Sequence, residues 1–141
     1  MLLAGKTGLV LNVTNKNSIG WAVAEAAHLH GATVGVGAQN DKLLHRVDEL
    51  IEGRERFDTF VVDFGFDDQL EALRDEVAKK YGKIDFLVHS AAFAKREDLA
   101  GRFIETSRDG FSLHSMSPPI LLLPSAACSN QFWPTMQASW R

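Results

Sequence analysis

The stretch Leu9-Val10-Leu11-Asn12-Val13-Thr14-Asn15-Lys16-Asn17-Ser18-Ile19-Gly20 decides how the rest of the chain is read. A leucine- and valine-rich run gives way to a polar turn, and a helical pattern follows to His30. Residues 7–13 suit a strand buried on both faces. Ser18 offers an N-cap, and Ile19, Ala22, Val23, Ala26 and Ala27 recur at helical spacing. Such a strand, turn and helix aim the helix N-terminus at the end of the strand, where α/β proteins hold nucleotide phosphates. The turn lacks the G-x-G-x-x-G pattern, and Asn12 stands where a tight turn prefers glycine. Asparagine tolerates positive φ better than most non-glycine residues, so Asn12 can still make the turn. The alternative is an ordinary polar connection between strand and helix.

The same punctuation repeats along the chain. Gly31 stops the first helix and residues 32–37 form a short second strand. Asn40 or Asp41 caps a helix with Leu43, Leu44, Val47, Leu50 and Ile51 on its apolar stripe, ended by Gly53. Residues 57–62 form a third strand closing on Asp63. Asp67 or Asp68 starts a third helix with Leu70, Leu73 and Val77 inward and Gly82 after it. Residues 84–88 form a fourth strand that runs into His89-Ser90-Ala91-Ala92. The order β-α-β-α-β-α-β predicts an α/β fold, a Rossmann-like doubly wound parallel sheet in its mononucleotide-binding half. Thr106-Ser107-Arg108-Asp109 then has capping-box character and announces a further helix, which Pro118-Pro119 forbids from continuing normally.

Composition divides the chain. Of the 141 residues, 1–111 carry every charged side chain except Arg141 and contain no proline. All four prolines, the single cysteine Cys128, and Trp133 and Trp140 come later. This shift predicts two parts, a dinucleotide-binding unit at 1–113 and a proline-rich tail at 114–141. A net charge of −3 with no basic run gives no reason to expect nucleic acid. One cysteine excludes an internal disulfide framework and a multi-thiolate zinc site, and no His, Asp or Glu group has ligand spacing. The N-terminus is too short for a signal h-region, and no segment nears the ~18 apolar residues of a membrane span. These features predict a soluble cytoplasmic protein.

In a parallel sheet, ligands lie at the carboxyl ends of the strands. The first strand delivers Asn12 to Ser18. The second delivers Gln39, a neutral donor and acceptor suited to an adenosine without an extra phosphate, or simply a surface turn residue. The third delivers Asp63 and Phe64: a carboxylate there can accept from an adenine amino group, and it can equally cap a turn. The fourth delivers Ser90, Ala91 and Ala92, small enough for a nucleotide to lie close to the backbone, or for tight packing alone. His89 is the only histidine at a strand end and reads as structural.

Taken together, these residues resemble the amino-terminal half of the NADH-dependent enoyl-acyl-carrier-protein reductases, a divergent branch of the short-chain dehydrogenases. The resemblance covers about residues 2–113 and rests on separate motifs in order. They are Leu3-Ala4-Gly5-Lys6, the long turn ending Ser18-Ile19-Gly20, Gln39-Asn40-Asp41-Lys42-Leu43, Val88-His89-Ser90-Ala91-Ala92-Phe93-Ala94, and Thr106-Ser107-Arg108-Asp109-Gly110-Phe111. It implies NAD as cofactor, with NADH and an enoyl-acyl-carrier-protein as partners, in fatty acid biosynthesis. It puts Ser18 and Ile19 at the pyrophosphate, Gln39 at the adenosine, Asp63 and Phe64 at the adenine, and Ser90, Ala91 and Ala92 along the nicotinamide half. It also implies a homo-oligomer for the full family fold. Three residues depart from the family pattern: Asn12 replaces a turn glycine, Phe64 a smaller aliphatic residue and Ala91 a larger one.

The family's tyrosine near the acyl carbonyl and its lysine on the ribose belong to chain that would follow residue 141. The only tyrosine here, Tyr81, matches neither position, so no catalytic residue is assigned and the chain is expected to be inactive alone. Read from the third base of the His114 codon, permitted codons can give Gln-His-Val-Ser-Ala-Tyr-Ser-Leu, the kind of helix the family carries next. Residues 114–141 are therefore read as out-of-frame translation, with a genuine shortened protein carrying a new tail as the alternative, a question that the coding DNA across Leu113 decides.

Overall fold

Four parallel strands in the order β3-β2-β1-β4 form the centre of the computed structural model, which describes residues 1–90 and 102–110. The chain runs β1 (Thr7–Leu11), α1 (Ile19–Leu29), β2 (Thr33–Ala38), α2 (Asp41–Ile51), β3 (Phe57–Val61), α3 (Asp67–Tyr81) and β4 (Phe86–His89). Leu11 at the end of β1 pairs with Gly37 of β2 on one side and His89 of β4 on the other. The chain steps outward from β1 to β2 to β3 and then crosses back to place β4 beside β1. The strand order therefore reverses between β1 and β4, which opens a crevice at their carboxyl ends.

Each strand feeds two faces, because successive side chains point to opposite sides. Leu9 and Leu11 join Phe60, Val62 and the α3 residues Leu70, Leu73 and Val77 on one face. Val10, Val34 and Val36 join Trp21, Ala24, Ala27 and Val47 of α1 and α2 on the other. Both faces of β1 are buried, which is why its sequence reads as a continuous apolar run. Burying each leucine and valine side chain among these contributes roughly 1.5–3 kcal/mol.

Of the two glycines of β2, Gly35 is needed bare on the α3 face. A Cβ on Gly35 would stand 2.8 Å from the Phe60 ring and 3.2 Å from the Tyr81 hydroxyl. Among the described residues β4 borders only β1, and Phe86, Leu87 and Val88 are half-buried where β1 is buried.

The opposite, amino-terminal rim of the sheet is tied by Asp85. Its carboxylate accepts from the Thr7 N–H and the Lys6 ammonium, both at 2.9 Å, while the Asp85 N–H donates to the Thr7 carbonyl at 2.7 Å. The Thr7 N–H first, and Lys6 second, hold this carboxyl below its ordinary range. A depressed folded-state pKa means that the unfolded chain binds more protons, so stability rises with pH across that interval. The contribution is complete above the ordinary aspartate value of about 4 and is lost as pH falls through the folded-state value. Asp85→Asn is therefore expected to melt a few degrees below wild type at pH 7, with the gap closing in acid. Thermal melts of both proteins across that range check it.

The sequence-based expectations hold in element order and type, with shifts at the ends. Gly31, Gly53 and Gly82 follow the three helices, all with positive φ, and Ser18 and Asn40 are the N-caps of α1 and α2. Asp67 starts α3, as expected; Phe66 holds the N-cap position without a side-chain bond, and Asp67 and Asp68 stand in the first turn, where the helix dipole favours them. The stripe expected on α1 is corrected. Ile19 is 78% exposed, and Ala22 and Ala26 are exposed as well; the buried residues are Gly20, Trp21, Ala24 and Ala27. An alanine-rich helix is apolar around much of its circumference, so the single bulky ring of Trp21 selects the face.

The capping box also moves by one residue. The Gly110 N–H donates to Ser107 Oγ at 2.9 Å, so Ser107 rather than Thr106 caps the turn at 108–110. The boundary at Leu113, the tail, Ala91 and Ala92 lie outside the described residues.

Candidate functional site

At the end of β1 the chain turns through Asn12, whose φ of +60° is the left-handed conformation the turn requires. Val13 is fully buried, and its N–H donates to the Gly37 carbonyl at 3.0 Å. The turn to α1 is held from within. Asn15 Oδ1 accepts from the Asn17 N–H at 2.8 Å. The Ser18 N–H and hydroxyl both donate to the Asn15 carbonyl, at 3.1 and 2.7 Å. Ser18 Oγ in turn accepts from the Trp21 N–H at 3.2 Å. Both donors of Ser18 are thus committed to shaping the turn. Helix geometry leaves the N–H groups of Ile19 and Gly20 without intrahelical acceptors, pointing out of the helix N-terminus.

This helix end sits hard against the crevice. A Cβ on Gly20 would meet Ser90 Oγ at 2.7 Å and Val13 Cγ2 at 3.1 Å. Across the crevice, Ser90 Oγ donates to the Leu11 carbonyl at 2.6 Å and Asn12 Nδ2 donates to the Ser90 carbonyl at 3.3 Å. Asn12, Ser90 and Gly20 therefore form one corner, where β1, β4 and α1 converge. Gly20 was not singled out as a site residue by sequence reasoning. The available signal was a glycine placed two residues after a capping serine, where an ordinary helix favours almost any other residue except proline.

A second corner lies at the ends of β2 and β3. Gln39 Nε2 reaches Asp63 Oδ2 at 3.5 Å, a long contact between residues 24 apart in sequence. The other carboxylate oxygen of Asp63 accepts from the Gly65 N–H at 2.9 Å, and the Asp63 N–H donates to Gln69 Oε1 at 2.9 Å. Asp63 thus caps a turn with one carboxylate oxygen and turns the other toward Gln39. Phe64 packs against the α3-side core and meets the His89 ring edge-on, with centroids 5.4 Å apart. Burial lowers the pKa of His89 from its ordinary value, which keeps the imidazole neutral at pH 7.

Tyr81 is remote from both corners. It ends α3 at the other end of the sheet, donating to Asp58 Oδ2 at 2.5 Å, with Lys80 paired to the same carboxylate. Burial first, then the hydrogen bond and charge of Asp58, push this phenol far above its ordinary pKa. Its proton is held in place and away from the crevice.

A family model described as enoyl-(acyl carrier protein) reductase matches residues 13–120. The NADH-dependent enoyl-acyl-carrier-protein reductase 1 of Rhizobium meliloti is 36% identical over 111 residues, covering 79% of this chain and 41% of that protein. The corresponding Bacillus cereus enzyme is 38% identical over 114 residues, covering 79% and 44%. Among solved structures, the Anaplasma phagocytophilum reductase in complex with NAD superposes with a TM-score of 0.73 at 31% identity, covering 81% of this chain and 44% of that one. The Aquifex aeolicus enzyme gives 0.74 at 32% identity, covering 81% and 45%. The chain thus spans a little under half the length of these relatives. The family-model match contains the N-terminus of α1, Gly20, Gln39, Asp63 and Ser90, and on that match the chain belongs to the enoyl-acyl-carrier-protein reductase family.

Proposed function

We propose that the crevice binds NADH, and that residues 1–113 supply the dinucleotide-binding part of an NADH-dependent enoyl-acyl-carrier-protein reductase acting in cytoplasmic fatty acid synthesis, within a homo-oligomer. The observation that carries this reading is the reversal of strand order at β1 and β4 with the first turn of α1 packed onto it. The absence of room for a Cβ at Gly20 brings two unpaired N–H groups to the mouth of the crevice, and such groups favour the negative charge of a pyrophosphate. The match to relatives whose names specify NADH supports the same cofactor.

The residues fit that group in the following way. Ser18 shapes the turn, and the N–H groups of Ile19 and Gly20 face the pyrophosphate, with the exposed Ile19 side chain beside it. Gln39 and Asp63 take the adenosine end, where a neutral amide beside a carboxylate disfavours a further phosphate on the ribose. Phe64, braced by His89, lies toward the adenine. Ser90 borders the nicotinamide half, where Ala91 and Ala92 are also placed by this reading. When bound, NADH supplies the hydride for reduction of an enoyl thioester.

Binding without turnover is the second reading, and one observation favours it. Reduction of an enoyl thioester needs a group to stabilise the developing enolate oxygen, and the single tyrosine of this sequence is bonded to Asp58 at the far end of the sheet. Calorimetric titration with NADH is expected to give saturable heat at one site per chain. Adding a short enoyl thioester is expected to leave the NADH absorbance unchanged. No saturable heat overturns the cofactor reading, and an enoyl-dependent loss of absorbance overturns the second.

A further inference from the structure

In a strand–turn–helix nucleotide site the residue after the first strand is commonly glycine, because a bare backbone there lets the pyrophosphate come close. Here that residue is Asn12, held at φ +60° with a side chain that must go somewhere. It goes across the crevice: Nδ2 donates to the Ser90 carbonyl at 3.3 Å and so bridges the carboxyl ends of β1 and β4. The bridge is long, near the weak end of amide hydrogen bonds. It also duplicates a shorter tie, since Ser90 Oγ already holds the Leu11 carbonyl at 2.6 Å. The β1–β4 ladder is moreover paired throughout, from Gly8 with Phe86 to Leu11 with His89. The strands are joined without the asparagine, so its side chain is better explained by what it occupies than by what it supports.

We infer that the Asn12 side chain is a plug in the β1–β4 crevice, an affinity-determining residue that a dinucleotide must displace from the Ser90 carbonyl in order to cross between the strands. The inference rests on the proposed reading of the crevice as an NADH site. It assigns Asn12 a role opposite to that of a cofactor ligand: the backbone turn at Asn12 serves the site and the side chain opposes occupancy. Its sign separates it from a structural latch, because removing a latch loosens the site and weakens binding, whereas removing a plug strengthens it.

The test is calorimetric titration of NADH into the full chain, its Asn12→Gly variant and its Ser90→Ala variant, with a thermal melt of each. Glycine holds φ +60° without strain, so Asn12→Gly removes the side chain and leaves the turn. It is expected to bind NADH about threefold to tenfold more tightly, the range for one net hydrogen bond that no longer has to be broken. Ser90→Ala keeps the carbonyl to which Asn12 is bonded, so the plug stays and no tightening is expected. AMP, which lacks the nicotinamide half, is expected to bind the wild type and Asn12→Gly alike. Equal or weaker NADH binding by Asn12→Gly overturns the inference, as does equal tightening by Ser90→Ala or an equal gain for AMP. Heat from both wild type and Asn12→Gly without a gain sinks the plug alone; heat from neither, with melts intact, removes the NADH reading and the plug with it.

Discussion

Leu11→Ala is expected to lower the unfolding free energy by about 3–5 kcal/mol, the upper part of the range for truncating a buried leucine. Leu11 is fully buried, in the cluster that joins β1 and β3 to α3. One of its methyl groups lies over Gly37, at 2.8 Å from where a Cβ would stand on that residue. A glycine has no side chain with which to fill the space that alanine would leave, and the paired strands on either side resist collapse. Against a total stability of about 5–15 kcal/mol for an ordinary domain, such a loss removes a large share of the margin. Denaturant titration checks it: the midpoint falls while the slope stays constant, because the area exposed on unfolding changes little. A loss below about 1.5 kcal/mol shows that the cavity closes and that this face of the sheet is more plastic than its packing implies.

Gly20→Val carries the largest expected effect on binding. The valine Cβ alone would lie 2.7 Å from Ser90 Oγ and 3.1 Å from a methyl of the fully buried Val13, and the two added methyl groups extend further. Either the first turn of α1 lifts away from β1 and β4, or the hydrogen bond from Ser90 to the Leu11 carbonyl breaks. Overpacking of this kind costs about 1–3 kcal/mol of stability, so the protein still folds. The N–H groups of Ile19 and Gly20 move with the turn, however, and a displaced donor pair loses its aim at an anion. NADH affinity is expected to fall at least about tenfold, a binding loss of about 1.4 kcal/mol or more. Gly20→Ala carries the smaller part of the same collision and is expected to fall between the two. Undiminished NADH binding by Gly20→Val would mean that the helix N-terminus does not meet the phosphates.

Much of the fold was legible before any coordinates. Thr7 to Leu11 and the strands that follow are apolar at consecutive positions because both faces of a parallel sheet are covered, and that pattern needs no knowledge of neighbours. The stops at Gly31, Gly53 and Gly82 and the turn at Asn12 were legible for a local reason. Positive φ is a property of one residue's own backbone, and few residue types accept it. Ser18 as N-cap belongs with them, since its partner Trp21 is three residues away.

The alanines of α1 show where local reasoning ends. Ile19, Ala22 and Ala26 satisfy helical spacing as well as Trp21, Ala24 and Ala27 do, and only the sheet against which the helix packs distinguishes the two stripes. The displaced capping box has a related cause. Thr106 and Ser107 are adjacent and chemically equivalent as caps, and the choice depends on where the following turn begins.

By itself, then, the sequence determined the alternation of strands and helices, their stops, the left-handed turn after β1 and, among the described residues, those delivered to each strand end. The tertiary structure alone decided that β4 returns beside β1, that Gln39 meets Asp63, that Phe64 rests on His89, and that Asn12 spans to Ser90 over 78 residues of chain. The physical reason is range. Helix period, capping and φ are set within a few residues, whereas strand order and the contacts across a crevice depend on which distant surfaces exclude water together, and no local spacing encodes that.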